Sequence, residues 1–238
     1  MKTHKLSFAL VAALLVLPLT AVAQDAEEEE SMFSWNIALT SDYVFRGVSQ
    51  TDEKPAFQIG ADLSFGSGFY VGAWASNVDF GTDGPWAEVD TYIGWNHDLS
   101  EDWNLDLAIN RYNYIGAKAS FGDPDYNEFL AVLSYAETYN FNFGYTNDVY
   151  GLDESGFYYG VDGSWEVGNG FSLGAGVALS TFDSATGYED YMDWTVSLSR
   201  DFGPVNAALG YHGTDSDGEF NFGEIADDRF VLTFSIGG

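Results

Sequence analysis

Phe33-Ser34-Trp35-Asn36-Ile37-Ala38-Leu39-Thr40, running on through Ser41-Asp42-Tyr43-Val44-Phe45-Arg46, changes character at every step. Phe33, Trp35, Ile37, Leu39, Tyr43 and Phe45 share one parity, and Ser34, Asn36, Ala38, Thr40, Asp42 and Arg46 share the other. A period of two puts successive side chains on opposite faces of a strand, so the two faces meet different surroundings. In a soluble sandwich the apolar face meets a second sheet. In an outer-membrane barrel it meets lipid, and the polar face lines the lumen.

The rest of the chain decides between these. Alternation and turn residues together predict twelve strands, over 33–46, 55–65, 69–78, 86–96, 103–114, 126–136, 139–149, 156–166, 171–182, 190–200, 205–213 and 228–236. Most have the length a tilted strand needs to cross a membrane. Their connectors alternate. Gly66-Ser67-Gly68, 97–102, Glu137-Thr138, 167–170 and 201–204 are turn-like, whereas 47–54, 79–85, 115–125, 150–155, 183–189 and 214–227 are longer and rich in Asp, Gly and Ser. An up-and-down barrel with both termini and its short turns in the periplasm, and longer loops outside, produces this rhythm. A sandwich has no reason to sort its loops by length.

The aromatics sort in the same way. Phe33, Trp35, Phe65, Phe69, Trp95, Trp103, Tyr135, Tyr139, Trp165 and Phe171 lie toward the short-turn end of the apolar faces. Tyr43, Phe45, Phe57, Tyr145, Phe157, Tyr159, Tyr211 and Phe230 lie toward the other. Two rings of amphipathic side chains are the expected anchors of a membrane barrel at its two interfaces. The expected fold is therefore all-β, a transmembrane antiparallel barrel spanning 33–238.

The segment before the barrel reads as an export signal. Lys2 and Lys5 precede an apolar run from Leu6 to Leu17, and Ala21-Val22-Ala23 supplies small residues for cleavage before Gln24. Residues 1–23 are expected to be removed, leaving 24–32, with Glu27 to Glu30 in series, as an acidic flexible leader. Cleavage takes away two lysines and no acid, so a formal charge of −29 becomes −31. Such a chain is repelled by phosphate backbones, which excludes nucleic acid as a partner. The absence of cysteine excludes disulfides and thiolate chemistry.

Ser41-Asp42-Tyr43-Val44-Phe45-Arg46-Gly47-Val48-Ser49-Gln50-Thr51 resembles the opening motif of the TorF family of porins of proteobacteria. Gly72-Ala73-Trp74-Ala75-Ser76-Asn77-Val78-Asp79 and Glu88-Val89-Asp90-Thr91-Tyr92-Ile93-Gly94-Trp95 resemble that family as well. The likeness covers essentially the whole chain after the signal, and its first motif is the specific part. It implies an integral outer-membrane channel in a Gram-negative bacterium and names no solute. Its implied partners are outer-membrane lipid and lipopolysaccharide, the barrel assembly machinery and small solutes. Barrels of this compartment usually finish on an aromatic that the assembly machinery reads; here Phe230, Leu232, Phe234 and Ile236 keep the alternation, and Gly237-Gly238 follow.

Reading the inward parity gives acids at Asp42, Asp62, Glu88, Asp90, Asp106, Glu128, Asp162, Glu166 and Asp193, against bases at Arg46 and Arg229. Closure brings the first and last strands together, which predicts both arginines on adjacent strands near the outer rim. A charged low-dielectric wall selects ions by sign, so a preference for cations is expected. The alternative is a lumen plugged by carboxylates paired with arginine and tyrosine. Tyr70, Tyr92, Tyr112, Tyr114, Tyr158, Tyr191 and Trp74 also face inward; they either bind organic cations or sugars through their rings or fill space. Arg111 and Arg200 are expected outward at strand ends, snorkelling to headgroups.

No enzyme is expected. His97 lies in a turn, and His212 faces the lumen beside acids without a serine-centred motif. No cofactor is expected either. Asp215, Asp217, Gly218 and Glu224 match positions three, five, six and twelve of a calcium loop, but Gly213 stands at position one and strands flank it. The remaining alternatives are a non-conducting structural or adhesive barrel with acidic outer loops and, behind it, an outer-membrane hydrolase that uses His212.

Overall fold

A computed structural model describes residues 32–238. The signal segment 1–23 and all of the leader except Met32 lie outside the described residues.

Among these residues twelve strands form one closed antiparallel barrel. In chain order they are β1 (Phe33–Thr40), β2 (Ala56–Ser64), β3 (Phe69–Asn77), β4 (Ala87–Asp98), β5 (Trp103–Ile115), β6 (Tyr126–Tyr135), β7 (Tyr139–Thr146), β8 (Gly156–Gly168), β9 (Phe171–Phe182), β10 (Tyr191–Phe202), β11 (Val205–Thr214) and β12 (Arg229–Gly237). Each strand pairs with its sequence neighbours, and β1 closes the ring by pairing with β12 through Ile37 opposite Ile236 and Leu39 opposite Phe234. Main-chain bonds between Trp35 and Gly238, at 2.8 and 3.0 Å, finish that seam. Closure leaves no sheet edge to template aggregation.

The two parities separate as the alternation demands. Ile59, Ile93, Ile109, Phe141, Val161, Val196, Leu209 and Leu232 are exposed on the outer wall, while Gln58, Ser76, Asp90, Asn110, Glu128 and Ser180 are buried inside it. A barrel that exposes its aliphatic side chains and buries its carboxylates is inside-out relative to a water-soluble domain. The short connections gather at one end with the chain's described termini. One of them, Asn169-Gly170, is a two-residue turn with φ of 54° and 74°, the left-handed pair that matches the twist of the joined strands. Phe33, Phe65, Phe69, Trp103, Tyr135, Tyr139 and Trp165 are exposed around this turn end; Phe57, Tyr145, Phe157, Tyr159 and Phe230 are exposed toward the loop end.

The first strand departs from expectation. It stops at Thr40, and residues 41–55 turn into the lumen. Val44–Phe45 and Val48–Ser49 pair as a small hairpin inside the barrel. Arg46 (φ 49°) and Gly47 (φ 80°) make its turn. Tyr43 and Phe45 therefore do not belong to the outer aromatic ring: Tyr43 is fully buried and meets Trp74 edge-on at 5.3 Å, and Phe45 packs on Tyr112. Alternation persists through 41–49, but there both faces of the chain meet protein. The last long loop holds a short helix, α1 (Ser216–Phe222). Asp215 caps it, accepting from the Gly218 amide at 3.2 Å, so this side chain terminates a helix in place of completing a calcium loop.

Candidate functional site

The site is the lumen, and its organising residue is Asp42 at the base of the hairpin. Its carboxylate accepts from Ser49 Oγ at 2.6 Å and Thr51 Oγ1 at 2.8 Å, and from Arg229 Nη1 of β12 at 3.1 Å. Thr51 also receives the Tyr43 amide, and the Gln50 amide donates to the Tyr43 carbonyl at 2.6 Å. Asp42, Ser49 and Thr51 thus tie the base of the returning chain to itself and to β12, as insertion of polar groups into a barrel requires.

At the hairpin tip Arg46 reaches across to β6. Its Nη2 lies 2.8 and 2.9 Å from the two oxygens of Glu128, with both side chains nearly fully buried. Tyr112 donates to the same carboxylate at 2.8 Å. The guanidinium lies 4.2 Å from the Tyr158 ring centre and 4.7 Å from that of Phe45. Tyr191 on β10 donates to the Arg46 carbonyl at 3.0 Å. Gly144 on β7 makes this possible, since a Cβ there would sit 2.8 Å from Glu128 Oε1 and 3.2 Å from Arg46 Nη2. Arg46 is therefore not beside Arg229 at the outer rim. The two arginines hold the tip and the base of one hairpin.

The wall from β2 to β6 is filled along its height. Tyr92 donates to Asp62 and Tyr70 to Asp106, each at 2.6 Å. Register explains both bonds. Gly72 stands between Asp62 and Tyr92, and Gly94 lies opposite Tyr70, so each ring lies flat across a glycine. Asn96 donates to Asp106 and Asn110 to Asp90; Tyr114 approaches Glu88 at 3.4 Å. On β8, Asp162 accepts from Asn140 and Asn142 at 2.8 and 2.6 Å. Tyr70, Tyr92, Tyr112 and Tyr114 are thus bonded fillers here, not free stacking platforms.

The opposite wall is lined by small residues: Gly160 on β8, Gly176 and Ala178 on β9, Thr195 on β10. Between it and the hairpin tip lies a small, partly open cavity, bounded also by Arg46, Tyr158, Asp162, Asp193 and His212. The His212 ring lies over Gly210, which stands opposite Ser197 of β10. Above the lumen, Val48, Tyr191 and Ala226 form a core with Phe182, Phe222 and Ile225, so the later loops close over the hairpin.

Elsewhere the predicted residues take ordinary roles. Arg111 faces outward and pairs with Asp125 at 3.2 Å; Arg200 lies over Phe171 and Phe202 at 5.0 and 5.3 Å. In the outer loops Lys54 bonds Asp79 at 2.7 Å and Lys118 bonds Asp83 at 2.8 Å. Those lysines hold both aspartates below the usual carboxylate range.

A family model covers residues 24–235 and is described as a bacterial protein of unknown function, Gcw_chp. The chain belongs to the Gcw_chp family. No curated protein sequence matches it significantly. Among solved structures this Gcw_chp barrel is similar to a KdgM porin, at TM-score 0.53 and 6% identity over 85% of this chain and 98% of that one. It is also similar to the NanC porin, at TM-score 0.52 and 11% identity over 86% of this chain and 97% of that one. At such identities the likeness shows the fold, a twelve-strand barrel of the outer-membrane porin type, and nothing of the solute.

Proposed function

We propose that this protein is an outer-membrane, porin-like channel, narrowed by its own inward hairpin, that passes small solutes and prefers cations. The exposed aliphatic wall with aromatic rings at both ends supports a bilayer location, as do the basic and apolar opening residues of the sequence and the TorF-like motif. One observation carries the selectivity. Asp62, Glu88, Asp90, Asp106 and Asp162 take their hydrogen bonds from neutral tyrosines and asparagines, while Arg46 and Arg229 are already matched to Glu128 and Asp42. The wall left over is acidic, and in a low-dielectric channel it attracts cations and repels anions.

The test is a planar bilayer holding the purified barrel under a KCl gradient. A reversal potential of the sign set by K⁺ is expected; absence of conductance, or an anion-selective potential, overturns the proposal. The second reading, a non-conducting barrel, has its own observation in the packed β2–β6 wall and the buried Arg46–Glu128 pair. Zero conductance from barrels shown to be folded selects it.

A further inference from the structure

The cavity beneath the hairpin tip carries both signs of charge, each with a bonding position unused. Arg46 bounds it with a side chain 9% exposed. The Arg46 Nε is buried and has no hydrogen-bond partner in the protein, although Nη2 is committed to Glu128. Asp193 bounds it too. Its Oδ2 is likewise buried and unpartnered, and Oδ1 receives only the Tyr158 hydroxyl, at 3.5 Å. Leaving a buried charged donor and a buried charged acceptor unmatched beside one cavity is costly unless a ligand or water completes them.

Tyr158 sets the spacing. Its ring lies under the guanidinium, 4.2 Å from it, and its hydroxyl points at Asp193, 3.5 Å away, so the one side chain touches both charges. Stacking of a sugar or an aromatic cation is excluded on that face, because the guanidinium covers it. A lone cation would satisfy Asp193 and leave Arg46 Nε unmatched; a lone anion would do the reverse. A small molecule with both charges completes both. We infer that the cavity is a binding station for small zwitterions of the α-amino-acid class, with the carboxylate on Arg46 Nε and the ammonium on Asp193 Oδ2. The inference rests on the channel reading for its role in transit, though not for the binding itself. Gly160, Gly176 and Ala178 keep the opposite wall low enough to admit the ligand.

Isothermal titration of the folded, full mature barrel in detergent tests it, with heat-modifiable gel mobility verifying the fold of each variant. The probes are glycine and its two halves, methylammonium chloride and sodium acetate. Glycine is expected to bind at least threefold more tightly than either half. Asp193→Asn is expected to weaken glycine at least tenfold, and Ala178→Leu, which fills the cavity without touching a charge, to abolish its binding. Equal affinity for glycine and either half, no binding to wild type, or glycine affinity unchanged in a folded variant overturns the inference. If neither variant folds, the comparison of glycine with its halves on wild type still decides. Because titration needs no current, a silent barrel that binds glycine defeats the channel reading alone. A conducting barrel indifferent to glycine defeats the station alone.

Discussion

Arg46 concentrates the physics of this lumen. It accepts a left-handed backbone, φ 49°, which costs a residue with a side chain on the order of 1 kcal/mol or more. The return is an ion pair with Glu128 and two ring contacts, all out of solvent. Truncation shows the difference between forming such a pair and breaking it. Arg46→Ala leaves Glu128 buried with only the Tyr112 hydroxyl, and is expected to lose roughly 3–5 kcal/mol of barrel stability, read by urea unfolding in lipid vesicles. Arg46→Lys keeps a charge for Glu128 and gives up the flat stacking, so its loss is expected to be smaller, roughly 0.5–2 kcal/mol. Equal losses from both variants would show that stacking, not charge, holds the tip.

The hairpin is the element that separates this barrel from an open pore. Its two-residue turn has positive φ at both positions, the geometry that closes a tight hairpin. Val48 seats it under Tyr191 and Ala226, and Asp42 ties its base to Arg229 of the last strand. Because each barrel strand pairs with its sequence neighbours independently of the hairpin, replacing 43–51 with a short Gly-Ser linker leaves the ladders intact. That variant is expected to conduct several times more current per channel than wild type in the same bilayer. Unchanged single-channel current would mean that the hairpin does not set the narrowest point.

At the scale of the whole molecule the outward tryptophans mark where the barrel sits. Trp35, Trp103 and Trp165 are exposed at the turn end, and Trp86 at the loop end; Trp74 faces the packed lumen. In vesicles, quenchers placed at headgroup depth are expected to dim the tryptophan emission more than quenchers at the bilayer centre. Stronger quenching from the centre would show that the rings do not lie at the interfaces.

The alternation of residues determined the barrel, its strand count and its strand order. A wall between two unlike surroundings must repeat every two residues, and Gly-rich turns must interrupt it where the chain reverses. β9 lies at 171–182 as read, and the other strands from β2 onward lie within a few residues of their expected positions. Inward placement of Asp62, Asp90, Asp106, Tyr92, Tyr112 and Tyr158 was legible for the same reason. Residues 41–55 were not. Asp42, Tyr43 and Phe45 keep the period of a wall strand, and only Arg46-Gly47 followed by Ser49-Gln50-Thr51 hinted at a turn with a polar return. Pairing across the lumen joins Arg46 to Glu128, 82 residues apart in the chain, and Asp42 to Arg229, 187 apart. Periodicity reports which face a side chain takes. It carries no information on which strand lies opposite, and so only closure of the barrel decided that the hairpin folds inward and which acids its arginine and that of the last strand take up.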